Sequence, residues 1–485
     1  MEVWILDLRF MQHRINQAIS HIPSASIFYE KPEPPKTLLE RMVQHHTPGA
    51  SIAVIDNFEI DGAIGFGVCE AKQPNQVTPN TLFQVGSISK PVFALAVMRL
   101  VQEGMLDLDK DVNSYLTSWK VPVNGDWQPR VTLRHLLSHT AGTTVSGYYG
   151  YKVSMPLPTT VQILNGELPA NSEKVVVNVI PGLNYRYSGG GMVIAQQVLM
   201  DVMDKRFPEM MRDLVFAPLG MENSTYSQPL EQAFLKQAAT GHRHNGIPLE
   251  GKYFVYPEMA AAGLWSTPTD IAKLGIEMMR TLSGKPTSIW KQATIEEMLK
   301  PHSEKSMGQD GLLLGLGIAQ NGTGEGTYFF HDGTNLGFVA MMRFYPHLGK
   351  GAVIMLNSDE GVLFRGDIMQ GIGQAYEWPN LGKEKNAALP ISRIDRYLGT
   401  YSTKSRLKFI VSNQDNQLFL QCDRQQPVQL FSKSELVFFS EEVNIQISFT
   451  QEDTGKISGM TLSQSDIMTL GTPEGTEFKT KKEHS

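Results

Sequence analysis

The sequence predicts an α/β domain, an antiparallel sheet flanked by helices with an inserted all-α lobe, followed by a small antiparallel β-barrel domain. Three observations carry that assignment. Apolar, β-branched runs lie near residues 50–69 and again at 312–357, with helical periodicity between them, so one sheet is assembled from distant segments. A polar break spans 379–390, with Lys383, Glu384, Lys385 and Asn386 ahead of Pro390. Beyond it, short alternating strands recur to the end of the chain, the pattern of a small barrel.

Taken in order, residues 1–37 read as a leader, weakly amphipathic over 9–20 and broken by Lys31-Pro32-Glu33-Pro34-Pro35. Residues 50–56 and 62–69 bracket a short polar turn and predict a hairpin. From Ser87 to Glu103 the period becomes helical, with Val92, Leu95, Ala96, Met98 and Val101 on the buried face. Residues 105–260 are loop-rich and helical, and a helix follows over Asp270–Leu282. Strands return at 312–319, 326–331, 336–345 and 351–357 before a helix over 361–377, which completes a first domain of residues 38–378. After the linker at 379–390, the second domain, 391–485, carries strands at 397–402, 406–412, 417–422, 427–431, 435–439, 443–449 and 456–463.

The 485 residues are enough to bury cores without disulfides or metals. The 43 basic against 49 acidic residues give a net charge of −6, which argues against a nucleic-acid partner. Cys69 and Cys422 cannot form a C-x-x-C pattern, and both read as reduced core residues. The charged N-terminus, Met1 to Arg9, is a poor secretory signal, and no apolar run approaches the roughly 18 residues of a membrane span. The cytoplasm is the expected compartment, and nothing in the sequence opposes a homo-oligomer.

Several short motifs fail on their chemistry. His135 and His139 stand four apart, but Leu136 breaks H-E-x-x-H, leaving a structural pair near a helix end. His242-Arg243-His244 reads as a solvated loop, because no carboxylate or third histidine accompanies it. Asp107 to Asp111 begins like a calcium loop but lacks the required glycine and glutamate. The glycine patch from Gly322 to Gly326 precedes no G-K-[ST], and no G-x-S-x-G elbow exists. No metal or organic cofactor is implied.

S-x-x-K occurs at Ser87-Ile88-Ser89-Lys90, at Ser288 to Lys291 and at Ser405 to Lys408. Context separates the three copies. Ser405 begins a strand, where positions i and i+3 face opposite sides. Ser288 follows a turn onto a surface helix. Ser87 follows the strand-like Thr81 to Gly86 and opens the most apolar helix, where i and i+3 share one face. A helix N-terminus also offers unpaired N–H groups to a developing oxyanion.

A serine hydroxyl needs a base to become a nucleophile. Lysine serves only when neutral, and moving its pKa from about 10.4 to about 7 requires roughly 4–5 kcal/mol. Burial in a cleft supplies that; solvent exposure does not. Two polar partners stand at suitable places. Tyr187 lies on the glycine-rich turn Tyr187-Ser188-Gly189-Gly190-Gly191 before a helix, and its phenol can relay a proton. His331-Asp332-Gly333-Thr334 ends one strand ahead of another; its glycine lets a substrate backbone lie against the strand, and the Thr334 N–H offers a second oxyanion donor beside that of Ser87.

With these motifs in place, the sequence resembles the serine β-lactamase and penicillin-binding superfamily over about residues 38–378. It is most similar to the branch holding class C β-lactamases, family VIII esterases, DD-carboxypeptidases and D-aminopeptidases. The likeness rests on Phe83 to Lys90, Leu136 to Gly142 and Ala262 to Thr267. It implies that Ser87 is the acylated nucleophile, Lys90 its base and Tyr187 a second acid/base. It also implies that His331-Asp332-Gly333 replaces K-T-G, and that Gly189, Gly333, Thr334 and Asn335 line the oxyanion and substrate site. Gly189 stands where class C enzymes keep asparagine, and His331 where β-lactamases keep lysine, as in the aminopeptidase and esterase-like members. The segment Tyr397-Leu398-Gly399-Thr400-Tyr401 and the strands after it resemble the lipocalin-like C-terminal domain of some peptidases. The expected activity is amide hydrolysis of small peptides, with D-residue selectivity compatible with the likeness. A carboxylesterase, a weak β-lactamase and a penicillin-sensor-like protein with little turnover are the alternatives.

Overall fold

Strands β1 (Gly49–Asp56) and β2 (Glu59–Gly67) form the expected hairpin, reversing through Asn57 and Phe58, both at positive φ. Residues are described by a computed structural model over 14–23, 34–285, 287, 289–302, 313–314, 317–322, 324–379, 391–403, 408–422, 426–432, 434–440, 445–452, 455–464 and 477–482. The linker from 380 to 390, most of the leader, Ser288 and Ser405 lie outside them. Strands β3 (Leu313–Leu314), β4 (Ala319–Asn321), β5 (Tyr328–Asn335), β6 (Phe338–Tyr345) and β7 (Lys350–Leu356) come from the far end of the first domain. They join the hairpin in one antiparallel sheet of order β2-β1-β7-β6-β5-β4-β3.

The alternation of side chains across this sheet divides the core in two. On one face Ala53, Ile55, Ala340, Met342, Phe344 and Val353 pack with α1 (Ser89–Gln102) and α3 (Pro268–Leu282). On the other, Ile52, Val54, Val339, Ile354 and Leu356 meet Phe364, Ile368 and Ile372 of α4 (Gly361–Ala375). Each of the larger side chains so buried, from valine to phenylalanine, contributes on the order of 1.5–3 kcal/mol. The lobe between α1 and α3 is built around α2 (Gly189–Met203), with shorter helices and loops about it.

One boundary bears on the site and differs from expectation. The strand expected to stop at 331 runs on to Asn335, so His331, Asp332, Gly333 and Thr334 all lie within β5. Strand β4 pairs β5 only from Tyr328 to Phe330, which leaves the edge from His331 to Asn335 uncovered by β4. The turn before α1 packs there instead. A Cβ on Gly333 would fall 1.8 Å from the Val85 carbonyl oxygen, and one on Gly86 would fall 2.5 Å from the Thr334 nitrogen. Gly86 also takes a φ of +51°. Glycine at 333 therefore admits the protein's own turn, a close approach that any side chain there would block.

The described residues from 391 onward form a second compact unit. Strands β8 (Gly399–Thr403), β9 (Lys408–Gln414), β10 (Gln417–Cys422), β11 (Val428–Ser432), β12 (Val437–Ser440), β13 (Ile445–Gln451), β14 (Ile457–Gln464) and β15 (Glu477–Lys482) close into a barrel. Seven of these match expected strands. β15 closes the ring by pairing with both β8 and β14, and its run of Glu, Lys and Thr around one phenylalanine gave no alternation to read. Buried Tyr397, Tyr401, Phe438 and Phe449 pack against one another in this unit's core.

Cys69 and Cys422, expected as core residues, each keep some exposed surface and pack against the edge of a core rather than within it. Cys69 follows the end of β2 and Cys422 ends β10, where strand ends give way to loops. Among the described residues no helix is long and apolar enough to cross a membrane.

The interlock between Gly333 and the Val85–Gly86 turn yields a direct test. Gly333→Ala should lower unfolding stability by about 1–3 kcal/mol, as overpacked sites do, and should depress turnover with it. Chemical denaturation with a parallel activity assay reads both; a variant as stable and active as wild type would show that the contact is not tight.

Candidate active site

Ser87 lies on a single 3₁₀ turn, Gly86–Ile88, and α1 begins at Ser89 rather than at Ser87 as expected. In a 3₁₀ turn residues i and i+3 eclipse, so the hydroxyl and the amine still emerge on one side. Ser89 fixes the turn. Its hydroxyl donates to the Gly86 carbonyl at 2.6 Å and accepts from the Leu264 N–H at 3.0 Å. The buried Tyr226 hydroxyl donates to the Ser89 carbonyl at 2.6 Å.

Lys90 is 3% exposed and Ser87 8%. The Lys90 Nζ stands 2.9 Å from Ser87 Oγ and donates to the Ala261 carbonyl at 2.8 Å. Burial alone lowers its pKa to about 7, so a large fraction of the amine is neutral at neutral pH. The Tyr187 hydroxyl donates to Ser87 Oγ at 2.9 Å, and the Lys90 amine lies 4.9 Å from the centre of the Tyr187 ring. Burial holds the Tyr187 pKa well above its ordinary value, so this phenol keeps its proton and acts as a donor. Serine, lysine and tyrosine thus form one hydrogen-bonded unit.

His331 faces the same centre. Its Nδ1 lies 2.6 Å from the Asp332 carbonyl, which can only accept, so Nδ1 carries the proton and the unprotonated Nε2 is an acceptor. Burial and then the Lys90 charge push its pKa down to about 4. It is a neutral imidazole, not a fixed cation. Asp332 itself accepts from Arg365 of α4 at 3.0 Å.

The seam between β5 and the nucleophile turn brings the Ser87 and Thr334 nitrogens together, since a Cβ on Gly333 would lie 3.1 Å from the former. Asn335 is buried, and its amide donates to Gln84 Oε1 at 3.1 Å and to the Ala262 carbonyl at 2.9 Å. That geometry makes it a tie between β5 and the segments beside Ser87. Gly189 is also buried; its N–H donates to the Ser146 carbonyl at 2.9 Å, and a Cβ there would lie 3.0 Å from the Tyr148 ring. Tyr148 occupies the space that an asparagine side chain at this position would need.

Two contributors carried no readable signal. The Ala261 carbonyl is backbone, so no side chain announces it. His139, expected as a structural pair with His135, packs against the Tyr187 ring at 4.5 Å between centroids, with the two planes tilted by 39°. Its Nδ1 accepts from the Ser188 N–H at 3.2 Å, which fixes the chain next to Tyr187. His242, expected in a solvated loop, is fully buried instead: Nδ1 donates to the Asn357 carbonyl at 2.8 Å and Nε2 accepts from the Ala71 N–H at 3.0 Å. Pairing of β1 with β7 places the Asn357 carbonyl where it captures that ring. Among the described residues no three His, Cys, Asp or Glu side chains are grouped to hold a metal.

Residues 35–374 match the β-lactamase family, and residues 383–480 match a family described as a domain of unknown function, DUF3471. Penicillin-binding protein 4* of Bacillus subtilis is 22% identical over 446 residues, covering 87% of this chain and 94% of that protein. A teichoic acid D-alanine hydrolase of Staphylococcus aureus is 24% identical, covering 54% of this chain and 62% of that protein. The octameric penicillin-binding protein homologue from Pyrococcus abyssi superposes with a TM-score of 0.61 at 23% identity, covering 92% and 98% of the two chains.

Because only neutral Lys90 can take a proton, activity should rise with pH through an apparent pKa near 7 and fall away below it. Lys90→Arg, always charged, should lose about 10²–10⁴ in kcat/KM. A kcat/KM profile measured from acid to mildly alkaline pH checks both, and retained activity in the arginine variant would remove Lys90 from the base role.

Proposed function

The chain belongs to the β-lactamase family and is a serine hydrolase; within that class we propose that it cleaves amide bonds of small peptides or amino-acid amides through a Ser87 acyl-enzyme. The observation that carries this reading is the Lys90–Ser87–Tyr187 unit, in which a buried amine stands 2.9 Å from Ser87 Oγ and a phenol donates to it at the same distance. In the first step Lys90 takes the Ser87 proton as Oγ bonds to the substrate carbonyl carbon. The Ser87 and Thr334 amides stabilise the oxyanion. The C–N bond then breaks as the leaving amine takes a proton from the Tyr187 hydroxyl, which the Lys90 ammonium re-protonates. Water attacks the acyl-enzyme by the same route in reverse, and the acid leaves.

His331 supports an aminopeptidase-like or esterase-like specificity over a β-lactamase one. A neutral imidazole whose free nitrogen accepts a hydrogen bond is a poor partner for a carboxylate and a good one for an N–H or O–H donor. One relative is named a teichoic acid D-alanine hydrolase, and a D-alanyl acyl group is the corresponding candidate here. The octameric homologue makes a homo-oligomer the matching proposal for assembly.

Hydrolysis of D-alanine p-nitroanilide, L-alanine p-nitroanilide and p-nitrophenyl butyrate, each with Ser87→Ala as blank, tests the reading. Serine-dependent anilide cleavage with the blank lower by at least about 10³ is expected. Cleavage of the butyrate alone would replace the amidase with an esterase. A stable Ser87 adduct without turnover would favour a sensor.

A further inference from the structure

Tyr187 owes its place to a residue that the acyl-transfer steps do not use. The Arg186 N–H donates to the His139 carbonyl at 2.7 Å, and the Ser188 N–H donates to His139 Nδ1 at 3.2 Å. One residue thus grips the main chain on both sides of Tyr187. Between those two bonds its imidazole lies against the Tyr187 ring, 4.5 Å between centroids. The Tyr185 ring meets the same imidazole at nearly a right angle, at 6.0 Å.

The grip is itself held firmly. His139 takes a left-handed φ of 57°, one residue beyond the end of the short helix Leu133–Leu137. The Thr140 N–H donates to the His135 carbonyl at 2.8 Å, and the Thr140 carbonyl accepts the Gly182 N–H at 2.7 Å. A non-glycine residue stays in the left-handed region only where its surroundings enforce it, and such residues gather at functional sites.

The choice of side chain is also informative. His139 is 7% exposed, and its Nε2 has no hydrogen-bond partner among the described residues. Burial, and then the nearby Lys90 and His331, hold its pKa well below the usual value, so the ring is neutral. Since Nδ1 accepts the Ser188 N–H, the proton sits on Nε2, where it goes unbonded. A phenylalanine could pack on Tyr187 without burying an orphan donor. What the imidazole adds is the acceptor for the chain beside Tyr187.

We infer that His139 is the positioning residue for Tyr187 in its role as proton donor to the leaving group. This rests on the proposed acyl-transfer reading. There the bond from the carbonyl carbon to the leaving atom breaks, and its electron pair stays on that atom. The atom takes the Tyr187 hydroxyl proton, and the Lys90 ammonium restores it. A misplacement of about 1 Å in a catalytic group costs about 10²-fold. The loss falls hardest on a leaving group too basic to depart as an anion, and least on p-nitrophenolate, which departs without a proton.

The test measures kcat/KM within two pairs, p-nitrophenyl butyrate against ethyl butyrate, and alanine p-nitroanilide against alanine amide. Each pair shares its acyl group and differs in the basicity of its leaving group. The ratio of better to poorer leaving group is blind to a misfolded fraction, which lowers both rates alike. Tyr187→Phe should raise the ratio by about 10² or more. His139→Phe keeps a ring but cannot accept the Ser188 N–H, and should raise it about 10- to 100-fold. His139→Asn, whose Oδ1 can accept that N–H, should undo part of the rise. A raised ratio for Tyr187→Phe with unchanged ratios in both His139 variants overturns the positioning role and leaves the acyl-enzyme reading standing. Hydrolysis that persists in Ser87→Ala overturns the acyl-enzyme reading and this inference with it.

Discussion

Burial of the Lys90 amine is the constraint on which the rest of the site depends. The amine has two oxygen neighbours, Ser87 Oγ and the Ala261 carbonyl, and neither carries a charge that would hold its proton. Holding the pKa near 7 rather than at its ordinary 10.5 corresponds to about 5 kcal/mol of interaction, drawn from desolvation. The helix that carries Lys90 is accordingly packed on every side: Val92, Phe93, Leu95 and Val97 are all without exposed surface. The core and the catalytic base are one structural problem.

That arrangement sets what may stand nearby. His331 is neutral, so it adds no positive charge beside the amine. Asp332, its chain neighbour, is bound by Arg365 of α4. The tightly fitted seam at Gly86 and Gly333 holds the Ser87 turn against β5, so the hydroxyl and the two backbone amides move as one body with the sheet. His139 does for Tyr187 what Ser89 does for Ser87, fixing the chain beside a reacting side chain.

The chemistry was legible in the sequence where it is carried by side chains in short motifs. Ser87 and Lys90 are three residues apart, so any helical turn brings them together, and the order of Tyr187 and His331 supplied the partners. The sheet was legible because its strands are buried and β-branched, from Ile52 to Ile55 and from Val353 to Ile354. What escaped depends on contacts between distant segments. The Ala261 carbonyl has no side-chain signature, and His139 gains its place only when the loop at 139–142 meets the turn before Tyr187. The seam at Gly333 escaped because the turn that meets it lies some 250 residues earlier in the chain. β15 escaped because it closes a ring already specified by its neighbours, with little apolar content of its own.

The central claim, a neutral lysine poised by burial, is tested most directly by titrating that amine in the folded protein. NMR of ¹³C-labelled lysine Cε carbons, with Lys90 assigned by difference from Lys90→Arg, reads its protonation across the pH range. The account predicts one lysine resonance that titrates near 7. A Lys90 resonance that titrates with the surface lysines, near 10.4, would contradict it.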